Sequence, residues 1–376
     1  MEVVDLLVKA GADFESVFRD GYTPLYIAAQ NGRMEVVKRL LSHGAKVDSM
    51  CHHGSTPLYI AAQQGRASVV QLLLTAGANV DATFKTGFTP LYVAARNGHP
   101  RVVRLLLNYG ASLEARDGDG STPLYVAAQN GHADCVKLLL RAHANSEATF
   151  LDGFTPLYIA SQNGHHKVVR LLCKHGALVD RICGNGSSSL YVAVQNGFHD
   201  VVHQLLLYGA SVNSDYDTGY PPLYVASQRG HVDICRLLLD HHANINICTR
   251  GGAAPLYIAC QRKEVEVVKL LVSRGASLEM TFGNGYTPLH IAIEQSAFEI
   301  VRFLLESGAD PLATTGDGSN CTALAQSDEI KALLYQSAQK VLDNTTRSLA
   351  SLQHVPATAG MCSGIKQGVL PTTVQK

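Results

Sequence analysis

The sequence predicts an all-α repeat solenoid, and three observations predict it. A tetrapeptide of the form Thr-Pro-Leu-Tyr returns every 33 residues. Each copy opens one short apolar stripe of helical spacing and is followed by a second. Glycine punctuates the ends of most of these stripes. The tetrapeptide starts at Thr23, Thr56, Thr89, Thr122 and Thr155, then in altered form at Ser188, Pro221, Ala254 and Thr287. These nine copies keep register without an insertion. A weaker tenth copy is expected at Thr322-Ala323-Leu324, displaced by two inserted residues. A chain of 376 residues ordinarily suggests two or three globular domains. A repeat array escapes that limit, because each unit packs only on its neighbours.

The second copy shows how one unit is built. Thr56 is an N-cap and Pro57 a first-turn residue, so a first helix starts there. Leu58, Ala61 and Ala62 give this helix a face of small residues that permits close stacking. Gly65 ends it in the positive-φ conformation that glycine tolerates. Val69, Val70, Leu73 and Leu74 form the apolar face of a second helix, which Gly77 closes. One such unit cannot bury its own apolar face, and stacking completes the core.

A 33-residue unit opening Thr-Pro-Leu resembles the ankyrin repeat, and the resemblance covers about residues 1–338. It implies a helix–turn–helix plus a β-hairpin finger in each unit. It also implies a concave groove built from the fingers and the first helices. The departures are specific. The family's His in Thr-Pro-Leu-His is Tyr in eight copies and returns only at His290, so a longer hydroxyl-bearing ring stands in for it. His143 and His242 replace the glycine after the second helix, and His visits positive φ more readily than most residues. Lys263 and Ser296 replace the glycine after the first helix, which predicts less regular repeats near 249–316.

The expected organisation is a partial repeat, second helix only, at 1–17. Nine repeats follow at 18–316, a degenerate capping repeat at 317–338, and a disordered Ser/Thr/Gln-rich tail at 339–376. Met1–Leu7 aligns with Met34–Leu40, so the chain opens within a second helix, as expected of a truncated product, an alternative start or a fragment of a longer protein.

A second period of 66 residues lies over the first. The residue before the Thr position reads Tyr22, Ser55, Phe88, Ser121, Phe154, Ser187, Tyr220, Ala253 and Tyr286. Four residues earlier, Phe18, Phe84, Phe150, Tyr216 and Phe282 alternate with Cys51, Asp117, Cys183 and Thr249. By the resemblance, Tyr22, Phe88, Phe154, Tyr220 and Tyr286 face the groove, about 20 Å apart. Two readings stand. Aromatics in a groove anchor a partner at low rotamer cost. Alternatively, duplication of a two-repeat unit left an alternation with no present use, or the two aromatics of one finger pack on each other or on the adjacent small residue. A polar row ends the first helices, including Gln63, Arg96, Gln129, Gln162, Gln195 and Arg229. By the resemblance it lines the same groove, where amides and guanidinium groups suit extended backbone. Its other reading is that these are only soluble helix-end residues.

Lys plus Arg equals Asp plus Glu at 31 each, so no basic excess exists to neutralise phosphates, and nucleic acid is not expected as a partner. Nine scattered cysteines without a Cys-x-x-Cys pair read as thiols, several at apolar helix positions, in a cytoplasmic or nuclear protein. His99, His132, His165 and His231 recur at multiples of 33, too far apart to meet around one ion. No nucleophile elbow, phosphate loop or zinc-protease motif is present. The sequence therefore predicts no metal, no cofactor, no small-molecule substrate, no membrane insertion and no enzyme activity. It predicts a protein-interaction scaffold or adaptor that binds a partner protein or peptide in the concave groove. The alternative is a targeting or regulatory module of a longer protein.

Overall fold

A computed structural model describes residues 5–7, 10–85 and 87–352. Repeats are numbered from Phe18, so that repeat four begins at Asp117 and repeat five at Phe150. Each repeat contributes a short first helix and a nine-residue second helix, as in Pro123–Gln129 with Ala133–Arg141. First helices stack on first helices and second helices on second helices, giving two layers with the core between them.

The first helix forms for the reason the sequence suggests. In repeats one to six, the Thr or Ser before it accepts the backbone N–H three residues on, at 3.1–3.2 Å. Proline fills the first turn in most copies, where no N–H is needed. Pro221 and Ala254 supply no side-chain cap to repeats seven and eight. The leucine after this proline position, Leu25 through Leu223 at 33-residue spacing, is at most 1% exposed in every copy. Val and Leu of each second helix close the core from the other side.

A third row of side chains holds the loops. Glu15, Asp48, Asp81, Glu114 and Glu147 each accept a backbone N–H from the loop one repeat on. Asp180, Asn213, Asn246 and Glu279 continue the row. These bonds satisfy loop donors that the helices leave open.

The glycine replacements keep the backbone path. His143, His242, Lys263 and Ser296 take φ of 68°, 66°, 62° and 53° themselves. Repeats eight and nine therefore hold their register, and the only change in helix length is one extra residue in Pro255–Arg262. The irregularity expected near 249–316 amounts to the two turn residues, the extra helical residue Arg262 and the missing cap at Ala254.

Two expectations are corrected at the C-terminal end. The tenth first helix is Cys321–Leu324, capped by Asn320, whose Oδ1 accepts the Ala323 N–H at 2.8 Å. Asn320 lies 33 residues after Thr287, so no insertion exists; Thr322 only resembles the opening of the tetrapeptide. The stretch from 339, expected to be disordered, continues a helix that runs Asp328–Leu352. No Pro or Gly interrupts those residues, Ile330 and Leu334 are buried against the array, and Gln339 Nε2 donates to Asp343 one turn on. The remainder of the expected tail, 353–376, lies outside the described residues.

The fingers carry single antiparallel bridges rather than strands: Phe18 with Tyr22, Phe84 with Phe88, Phe150 with Phe154, and Phe282 with Tyr286. In all four the bridge joins the two aromatics of one finger. The fold among the described residues is thus all-helical with short hairpin fingers.

Candidate partner-binding groove

The tyrosine of each tetrapeptide organises the finger side of the array. Tyr26, Tyr59, Tyr92, Tyr125, Tyr158, Tyr224 and Tyr257 are buried. A buried phenol ring needs a packing surface, and its hydroxyl favours a polar partner. The alternating aromatics supply the surface. In odd repeats the ring comes from the same finger: Tyr22 on Tyr26 at 4.7 Å between centroids, Phe88 on Tyr92 at 5.2 Å, Phe154 on Tyr158 at 5.0 Å, Tyr220 on Tyr224 at 5.6 Å. In even repeats it comes from the next finger: Phe84 on Tyr59, Phe150 on Tyr125 and Phe282 on Tyr257, all at 4.8–4.9 Å.

The small residues between them also have a use. Tyr26 donates to Ser55 at 3.4 Å, Tyr158 shares a hydrogen bond with Ser187 at 3.1 Å, and Tyr92 donates to Asp117 at 2.7 Å. Burial pushes the Tyr59 and Tyr125 hydroxyls up to about 12, and the Tyr92 hydroxyl is raised by burial and by its hydrogen bond to the Asp117 carboxylate. All three stay protonated at neutral pH. His290 replaces the tyrosine in repeat nine. Its Nδ1 accepts the Thr287 N–H at 3.1 Å, its Nε2 meets the Ala313 carbonyl at 3.1 Å, and burial lowers its pKa, which favours the neutral ring.

The residues that end the first helices differ in exposure and bonding. Gln129 and Gln162, like Arg96 and Arg229, have exposed side chains, while Gln63 and Gln195 are half-exposed. Their neighbours are structural. Asn97, Asn163 and Asn196 donate to the carbonyls of Gln63, Gln129 and Gln162 in the preceding repeat, at 2.9–3.1 Å. His99, His132 and His165 meet the carbonyls of Gln63, Arg96 and Gln129 at 3.0 Å. These histidines close open helix-end carbonyls, the work their 33-residue spacing fits.

Of the residues expected to line a groove, the structure brings Phe88, Arg96 and Gln129 together in one concavity of about 460 Å³ between repeats three and five. Phe150 and Ser121 complete its sides. Tyr22 lies in a separate concavity at the N-terminal end, beside Phe18 and Ile27. Tyr220 is the most exposed ladder ring at 46%, while Phe88, Phe154 and Tyr286 are half-buried. Phe154, Tyr220, Tyr286, Gln63, Gln162, Gln195 and Arg229 do not share the central concavity. Sequence reasoning passed over Asp117, Asp119 and Phe150 as site residues. The only signal was that Asp117 alone, among these fingers, has a carboxylate at its position.

Comparison with known proteins agrees with this architecture. A family model described as ankyrin repeats (3 copies) matches residues 1–84, 74–150, 142–216, 190–282 and 223–315. The chain belongs to the ankyrin-repeat family. Among solved structures it is similar to the crystal structure of the human ASB11 ankyrin repeat domain, with 28% sequence identity and a TM-score of 0.51. That match covers 58% of this chain and 98% of the other. No curated protein matches the sequence. Ankyrin repeats generally mediate protein–protein interaction, and the fold is typically a non-catalytic binding module. Among the described residues, no helix is long and apolar enough to cross a membrane.

Proposed function

We propose that this protein is an interaction scaffold that binds a segment of a partner protein along the concave groove. The observation that carries this reading is the central concavity, where Phe88, Arg96 and Gln129 converge from a finger and two first helices. Rings fixed by stacking offer a partner apolar area at little entropic cost, and the exposed amides offer hydrogen bonds to its backbone. The ladder of Tyr22, Phe88, Phe154, Tyr220 and Tyr286 and the row from Gln63 to Arg229 extend the same surface along the array. A segment using part of this length would bury an interface of ordinary size, about 1,600 Å² in total.

The test exploits exposed and half-exposed side chains whose loss leaves the core intact. In one variant Gln129, Gln162 and Gln195 become Arg. In the other, Thr75, Asn108 and Leu207, exposed residues that end second helices, become Arg. Partners captured by the wild-type chain should be lost by the first variant and kept by the second, with circular dichroism showing both folded. Equal capture by wild type and the first variant contradicts groove binding.

A further inference from the structure

In two odd fingers a cation covers the first aromatic ring. The Arg19 guanidinium lies 5.7 Å from the centroid of Phe18, and the Lys85 ammonium lies 5.1 Å from that of Phe84. In both, the cation is the residue directly after the ring. In repeat five that residue is Leu151, which is 66% exposed. Among the described residues, Phe150, like Phe282 with Gly283 after it, therefore has no cation over its ring.

Phe150 forms one side of the central concavity, and the finger between it and Phe88 carries Asp117 and Asp119. Asp117 accepts from the Tyr92 hydroxyl at 2.7 Å, from the Ser121 N–H at 2.7 Å and from the Asp119 N–H at 3.2 Å. Three donors fix the orientation of its carboxylate. Asp119 is exposed. The equivalent pairs in the other even fingers are Cys51 with His53, Cys183 with Asn185, and Thr249 with Gly251, none of them acidic. Arg96 is the one cation in the lining, and it is exposed. Two carboxylates face one guanidinium in the lining, and Arg116 of the same finger is engaged by the Gly120 and Thr149 carbonyls at 2.8 and 2.9 Å.

We propose that this compartment receives a lysine or arginine side chain of the partner, seated against the Phe150 ring and paired with Asp117 and Asp119. The inference rests on the groove reading above. A cation is drawn both to the face of an aromatic ring and to a carboxylate pair at the rim of a partly desolvated pocket. The partner segment is therefore a basic one, with one positively charged side chain at a fixed position.

The experiment is selection of displayed random dodecapeptides on the full chain, followed by affinity measurement of the recovered peptides. Wild type should enrich peptides with Lys or Arg at one aligned position. Asp119→Asn and Asp117→Asn should weaken those peptides about tenfold, Arg96→Gln should strengthen them, and added salt should weaken them. Enriched peptides without a basic residue at a common position, or equal binding by both Asn variants, overturn this proposal and leave the groove reading standing. No enrichment, or peptides that bind equally to the variant with Arg at 129, 162 and 195, overturns both.

Discussion

Repeats four and five carry nearly the same first helix, Pro123–Gln129 and Pro156–Gln162, yet they settle its tyrosine differently. Tyr125 packs on Phe150 of the following finger, and among the described residues its hydroxyl meets no side chain. Tyr158 packs on Phe154 of its own finger, and its hydroxyl reaches Ser187 at 3.1 Å and Asn185 Nδ2 at 3.0 Å. One finger with two rings thus serves two tyrosines, its own and the one before it. The next finger needs none, and its small residue leaves room for a hydroxyl. The backbone repeats every 33 residues but the packing repeats every 66. The two readings of the alternation, packing and binding, are compatible, because a ring packed on one face keeps its other face free for a partner.

The largest effect is expected at what both repeats share. Leu157 is 1% exposed and sits in the middle of the stack. Leu157→Ala should cost about 2–5 kcal/mol, and it should split thermal unfolding into two halves because each repeat contacts only its neighbours. A single melt at an unchanged midpoint would show that the central core is not what holds the array together.

Repeat nine carries histidine in place of the tyrosine. His290 is fully buried in hydrogen bonds to Thr287 and Ala313, with Tyr286 at 5.8 Å. It also has the setting of an odd repeat: a ring four residues before it, and Ser319 where Tyr26 finds Ser55. His290→Tyr should therefore be tolerated within about 1.5 kcal/mol in a denaturant titration. A much larger loss would mean that the finger of repeat nine is shaped for histidine alone.

A smaller effect separates odd from even repeats. Tyr158→Phe removes a buried hydrogen bond and leaves Ser187 and Asn185 to find other partners, a loss of about 1 kcal/mol. Tyr125→Phe should be neutral within about 0.5 kcal/mol, since no side chain loses a partner. Equal effects in paired chemical melts would erase the distinction.

Most of the fold was legible because a strict period is visible in one chain, and each unit carries its own caps and glycine stops. What escaped depended on contacts between units. Tyr92 meets Asp117 across 25 residues and Tyr158 meets Ser187 across 29, so neither pairing shows within a single repeat. The alternation was visible as letters, but its cause required knowing which ring lies over which tyrosine. Asn320 was missed because Thr322-Ala323-Leu324 imitates the tetrapeptide more closely than Asn320-Cys321 does. The helix through 339–352 was missed because its polar composition hides anchoring by Ile330 and Leu334 at its start. Of the expected groove residues, three met in one concavity. The others lie along the array, where distance between repeats keeps them apart.

The most direct test of the packing account is a double-mutant cycle on Tyr125 and Phe150, with each replaced by Leu alone and together, read by equilibrium unfolding. The account predicts a coupling of about 0.5–1.5 kcal/mol between these two rings from adjacent repeats, and none between Tyr125 and Phe154. Additive losses for Tyr125 and Phe150 would contradict it, and the 66-residue alternation would then be a trace of duplication without a packing role.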